Sequence, residues 1–247
     1  MKTSVISFLA TLAVLSVLIY GCDKPGTNCL SGTGDIIFQE RIVSPFDSIT
    51  MNDDVNVILT YDSIISVTVE AGEKIIDGIT TEVVGRNLVI HNLNVCNWTR
   101  DYTKPINVYV TTNYLWTVVY QSSGDLTSSD TLRFDSLMVA VYAGCGTIDL
   151  DLDITSGHFV ENRGTADFDL HGRCGICYVY AGEYGAFHCE DLSMAYCFVT
   201  SLGSNDCWVN AKNILGVSIV GIGNVYYTGI PDSLYYTITG QGKLIHY

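Results

Sequence analysis

The stretch Thr147-Ile148-Asp149-Leu150-Asp151-Leu152-Asp153 alternates carboxylates with aliphatic side chains. In a β-strand that alternation puts the carboxylates on one face. A second such run, Asp167-Phe168-Asp169-Leu170, follows, and then His188 and Glu190 on either side of Cys189. If these runs stack as neighbouring strands, turn-to-turn counting aligns Asp149 with Asp167 and His188, and Asp151 with Asp169 and Glu190. Neighbouring strands lie about 4.8 Å apart, so the carboxylates would repel unless a cation bridged them. Hard oxygen ligands suit Ca²⁺. Asp149, Asp151, Asp167, Asp169, His188 and Glu190 are therefore a candidate Ca²⁺ site. The competing reading is a solvated acidic face, and no Asp-x-Asp-x-Asp-Gly loop with a distal Glu supports a metal. The same carboxylates, set across a cleft, would serve a glycan-active β-helix lyase or hydrolase. Arg163 and Arg173 are the basic residues near them.

Other catalytic signals are missing. His91, His158, His171, His188 and His246 fall in no HExxH pattern, and no GxSxG occurs. Gly-rich turns lead into strand-like runs, whereas phosphate cradles need a helix N-terminus. Cys174-Gly175-Ile176-Cys177 has CxxC spacing but no partner pair, which argues against zinc. The cysteines read as small buried strand residues, with one or two bridges among them. Trp208, Tyr226, Tyr227, Tyr235, Tyr236 and Tyr247 cluster late in the chain. They suit either sugar stacking or packing between strands, and the second is the simpler expectation. No residue is assigned a catalytic role, and the chain reads as a non-enzyme.

Charge and targeting narrow the class. The chain has 247 residues and a net charge of −14, with only 12 Lys and Arg. That excludes a nucleic-acid partner, which needs basic groups against phosphate. The N-terminus, MKTSVISFLATLAVLSVLIYGC, places Lys2 before an apolar run of signal-peptide length. Its LIYGC end resembles a bacterial lipobox, which implies cleavage before Cys22 and lipid on the Cys22 thiol. Residues 1–21 are then a signal peptide and 22–33 a tether. The expected location is the cell envelope, as an outer-membrane lipoprotein, periplasmic or surface-exposed. The membrane is reached through the N-terminal lipid.

The elements that would position the acids come from a repeat. Turn residues Gly124, Gly146, Gly164, Gly185, Asn205, Gly223 and Gly242 follow one another at steps of 22, 18, 21, 20, 18 and 19 residues. A fixed period of this size marks a stacked architecture. Two residues past each turn stand Leu126, Ile148, Ala166, Phe187, Cys207, Val225 and Leu244, an apolar inward column. Six residues before each turn stand Val118, Ala140, His158, Val179, Val199, Val217 and Tyr236, a second column that includes His158. The expected fold is all-β, a β-solenoid or β-helix-like stack of strand–turn–strand units over 114–247. Residues 34–113, with longer alternating runs, form an N-terminal region of paired strands. A β-sandwich of hairpins is the alternative.

The run from Pro45 to Asn92, the repeated glycine turns and the ending GIGNVYYTGIPDSL…ITGQGKL resemble the putative auto-transporter adhesin, head GIN domain family. Gly221, Gly223, Asn224, Val225, Tyr227, Gly229 and Pro231 match that family's usual ending. Gly240, Gly242 and Lys243 match its last turn, while Ile222 and Gln241 stand where Ser is usual. The resemblance implies an all-β, repeat-built envelope protein of Bacteroidota type, without catalytic residues. Its ligand would be a glycan or a protein surface. A stack also needs its ends covered. The last strand is therefore expected either to be blunted by Lys243 and His246 or to pair with a second copy.

Overall fold

The computed structural model describes residues 32–95 and 100–247. The signal peptide, Cys22, most of the tether, Cys29 and Cys96 lie outside them. The described residues are all-β, with almost no helix, wound as a β-solenoid. No helix among the described residues is long and apolar enough to cross a membrane.

Each rung has two strands, one in each of two walls. In the first wall lie β2 (Ser48–Asp53), β6 (Asn87–Asn92), β8 (Thr117–Ser122) and β10 (Ser136–Gly144). In the second lie β3 (Asn56–Tyr61), β7 (Asn107–Thr112) and β9 (Leu126–Ser128). The long strands β11 (Thr147–Glu161), β12 (Asp167–Ala181), β13 (Phe187–Ser201) and β14 (Cys207–Ile219) bend at mid-length. Their first halves belong to the second wall and their second halves to the first. β15 (Val225–Thr228) and β17 (Leu244–His246) end the second wall, and β16 (Ser233–Ile238) ends the first. All these neighbours are parallel, which rules out the sandwich, whose hairpins would be antiparallel.

The start of the stack is not in chain order. β2 lies between β6 and β8, and β3 between β7 and β9. The sheet thus runs without a break across Asn113. Antiparallel pairing is confined to this end. β4 (Ser66–Gly72) pairs with β7 and with β1 (Ile36–Arg41), and β5 (Ile79–Val84) pairs with β6.

Two inward columns fill the interior. In the second wall, Val108, Val57, Leu126, Ile148, Phe168, Phe187, Cys207, Val225 and Leu244 are in register. In the first, Ile49, Val118, Val139, Phe159, Val179, Val199, Val217 and Tyr236 are in register. Three sequence assignments are corrected here. Phe168 takes the place expected for Ala166, and Val139 and Phe159 take those expected for Ala140 and His158. The turns around Gly144 and Gly164 vary in length, and a ladder shift falls between Val141 and Ala143. Counting from glycine therefore slips, and a slip of one residue sends a side chain to the other face.

Most turn glycines serve close approach rather than a left-handed backbone, Gly164 at φ +133 being an exception. Gly223 has no positive φ. A Cβ on it would lie 2.1 Å from the Asn205 carbonyl oxygen of the turn beneath, and one on Gly242 would lie 2.0 Å from that of Gly223. The turns stack at hydrogen-bonding distance, as in Ile222 N–H to Gly203 O at 3.2 Å and Gln241 N–H to Gly221 O at 3.0 Å. Asn205 has no positive φ, and its side-chain amide donates to Tyr184 O of the neighbouring rung.

Glu161 sits at an inward position and is fully buried. Its carboxylate accepts the N–H groups of Glu183 at 2.9 Å, Tyr184 at 3.2 Å and Gly185 at 2.9 Å. It thereby satisfies the longer Gly182–Gly185 turn. Burial raises its pKa, and the three N–H bonds offset that only in part.

Two outcomes follow from these contacts. Gly223→Ala should cost about 2–3 kcal/mol by overpacking against backbone, while exposed Ile222→Ala should stay within about 0.5 kcal/mol; urea unfolding measures both. Glu161→Gln should cost roughly 1–3 kcal/mol at neutral pH through its mismatched N–H partners. The raised folded pKa means that Glu161's proton-linked stability is full below about pH 4.3 and is lost as pH rises through the folded value. Urea midpoints of Glu161→Gln should therefore lack that component of the pH slope.

Candidate functional site

The second wall carries the charge. Its outward column runs Thr127, Asp149, Asp169, His188, Trp208, Tyr226 and Ile245. Asp149 therefore faces Asp169, not Asp167, and Asp151 faces His171, not Asp169. The expected alignment is corrected by the same slip that displaced Ala166. Asp167, Asp169, His188 and Glu190 line a depression of about 260 Å³ together with Thr147, His171 and Asp191. Asp149 reaches its rim through His171, 3.4 Å from Nε2, and Asp191 lies 3.9 Å from the other ring nitrogen. His188 Nδ1 lies 3.7 Å from Glu190. Asp151 does not join them, because its carboxylate accepts the Thr131 hydroxyl at 2.8 Å. Among the described residues no three His, Cys, Asp or Glu side chains converge as a metal site.

Asp167 has a structural task that its sequence context hides. It accepts the Ala186 N–H at 2.8 Å from the next rung. Asn56 does the same for Asp125, Asp125 for Thr147, Asp206 for Asn224, and Asn224 for Lys243, at 2.7–3.0 Å. This Asx column stands just past the turns, where the ladder would otherwise leave N–H groups unpaired. His171 and Asp191 were missed by counting. A bulge between Asp169 and Gly172 brings them in, and Gly172, at φ +95, permits it. A lone glycine three residues past an Asp-x-Asp run is the one signal for that bulge.

Arg173, one of the two basic residues expected near the acids, pairs with Asp153 at 2.7 Å. Further along the wall, rings take over. His188 stacks on Trp208 at 4.6 Å, and Trp208 on Tyr226 at 5.3 Å.

The first wall is different. Its outward columns read Ser136, Ser156, Ile176, Tyr196, Ile214 and Ser233; then Thr117, Met138, His158, Tyr178, Phe198, Gly216 and Tyr235; then Thr50, Val119, Ala140, Val160, Tyr180, Thr200, Ser218 and Thr237. None is Asp, Glu, Lys or Arg. These columns carry no charge, whereas Asp149, Asp151, Asp153, Asp169 and Glu190 stand outward on the second wall. His158, expected as a hydrogen-bonded core or face residue, stands on this outer face and stacks on Tyr178 at 4.6 Å.

A family model described as "Putative auto-transporter adhesin, head GIN domain" matches residues 45–231. The chain belongs to this family. The crystal structure of a putative adhesin from Bacteroides fragilis NCTC 9343 superposes with a TM-score of 0.78 at 19% identity, covering 86% of this chain and 97% of that one. A putative lipid binding protein from Parabacteroides distasonis ATCC 8503 gives 0.61 at 21% identity, covering 87% and 98%. A putative adhesin from the same strain gives 0.57 at 18%, covering 87% and 98%. These likenesses show the shared fold. A search of curated proteins finds no match. An adhesin-type domain points to an envelope or surface location.

The described cysteines are free thiols. Cys145 is exposed, and Cys174, Cys177, Cys189, Cys197 and Cys207 are buried. No bridge joins them, so the bridges expected from sequence are not found here. Burial pushes Cys207 up to about 12 and raises Cys189 and Cys197, while at Cys177 the hydrogen bond its thiol donates to Cys174 is the first cause of a raised value, ahead of burial. Thiolates are the reactive form. Iodoacetamide on the native protein at pH 8 should label Cys145 and spare the five buried thiols until denaturant is added. Peptide mass mapping reads the result.

Proposed function

We propose that the chain is a lipid-tethered binding module of the cell envelope, adhesin-like and non-catalytic. The observation that carries this is the division of the surface into a charged wall and an uncharged wall with exposed rings. Exposed aromatic surface free of charge is a docking feature. The charged wall, in turn, keeps the module soluble while the other wall is in contact. One structural neighbour is named for lipid binding. Here the interior is filled by fully buried side chains such as Phe159, Phe168, Phe187, Leu88 and Ile90, which favours contact from outside rather than enclosure of an acyl chain.

The lipid and the location rest on Cys22 and the segment before it. Cells making the full chain and fed an alkyne fatty acid should yield a labelled protein, and Cys22→Ser should yield none. Cells displaying the wild-type chain should adhere to surfaces coated with mucin, polysaccharide or matrix protein. That adhesion should persist in 0.5 M salt, roughly where ionic contacts are screened within about 4 Å. Adhesion by neither form would overturn the binding role, and release of unsaturated or reducing ends from a glycan would favour an enzyme.

A further inference from the structure

The central outward column of the neutral wall is a ladder with one ring missing. His158, Tyr178 and Phe198 stack with centroids 4.6 and 5.3 Å apart and planes within 19° of each other. The next residue in register is Gly216, and after it comes Tyr235. In the ladder each ring covers its neighbour's face, so only edges meet solvent. At Gly216 that cover is absent. Phe198 leans toward the glycine, whose Cβ would lie 2.8 Å from Phe198 Cδ1 and 3.3 Å from Cε1. Tyr235, 63% exposed, stands on the far side.

The strand spacing leaves room for about one ring beside Gly216. Phe198 and Tyr235 are two strands apart, about 9.6 Å at about 4.8 Å per strand. A ring touching both walls at van der Waals distance needs about 7 Å. The depression there measures about 640 Å³. Its side is a row of hydroxyls, Thr200, Ser218 and Thr237, in register on adjacent strands. Hydroxyls both donate and accept, and no charged side chain lies in these columns.

We propose that the Gly216 notch binds one ring of a neutral glycan, a deepening that rests on the binding-module reading. A pyranose presents flat C–H faces to Phe198 and Tyr235 and its own hydroxyls to the Thr200–Ser218–Thr237 row. An acidic glycan would find no cation here to balance it, and would be repelled at long range by the net −14 charge. An aromatic side chain of a protein partner would fill the slot yet leave the hydroxyl row without a counterpart. The charged wall offers no equivalent, because His188, Trp208 and Tyr226 follow without a gap.

The test titrates the detergent-solubilised full chain with linear neutral oligosaccharides (glucans, mannans, galactans and N-acetylhexosamine oligomers) and with uronate oligomers, by calorimetry and saturation-transfer NMR. At least one neutral oligomer should bind, with transfer strongest at ring C–H protons. Gly216→Thr, which fills the notch on a strand-compatible backbone, and Tyr235→Ala, which removes an exposed wall, should each weaken binding about tenfold or more. Thr200→Ala with Ser218→Ala should weaken it too, and Trp208→Ala on the other wall should not. Tyr235→Ala leaves the core intact, so its result stands even if Gly216→Thr disturbs folding. Undiminished binding by Tyr235→Ala overturns the proposal, as does binding of uronates alone. If no oligosaccharide binds while cells displaying the chain still adhere, the notch proposal fails and the binding module stands. If adhesion is also absent, both fail.

Discussion

Each rung must lie one hydrogen-bonded strand spacing above the last, in the turns as well as in the walls. That constraint governs the rest of the molecule. Stacked turns bring the Cβ site of one within about 2 Å of a carbonyl in the next, as at Gly223 and Gly242, so the positions of contact must be glycine. Past several turns an Asx oxygen from the neighbouring rung takes a backbone N–H, as Asp125, Asp167, Asp206 and Asn224 do. Where one turn is longer, a buried carboxylate, Glu161, supplies the missing acceptors.

The same constraint decides what the surface can be. In a parallel stack any residue choice repeated at the period becomes a stripe, because identical positions lie directly above one another. Inward stripes are the core. Outward stripes on one wall place Asp149, Asp169 and His188 in line, and on the other Tyr178, Phe198 and Tyr235. A charged stripe repels itself and stays hydrated. A neutral aromatic stripe packs ring on ring until a glycine interrupts it. Adhesin-type binding needs a long regular surface more than a deep pocket, and a ladder of this kind is such a surface.

Much of this was legible in the residues. The period of about twenty, the all-β class and six members of one inward column were placed correctly from glycine spacing and alternation alone. The errors share one cause. Ala140 and His158 were each placed one residue off the inward column, and Phe168 rather than Ala166, itself buried, holds the register place, because the turns at Gly146 and Gly164 differ in length. The acids were misaligned for the same reason, and the Asp169–Gly172 bulge added His171 and Asp191. Asp167 looked like a ligand because nothing local shows that the Ala186 N–H, nineteen residues later, needs its oxygen.

The sequence by itself determined the strand content, the repeat and the family's glycine ending, since these rest on local alternation and on contacts repeated at one period. Only the tertiary structure decided which way each outward residue points and what stands beside it. Register depends on the summed lengths of irregular turns, and one residue gained or lost exchanges the two faces of a strand. That is why His158 stands in the aromatic ladder rather than in the inward column. It is also why Gly216, one glycine among 23 in the chain, becomes an opening between two rings only once the strands are stacked. The intercalation of β2 and β3 is likewise a matter of long-range pairing, for which no neighbouring residue carries a signal.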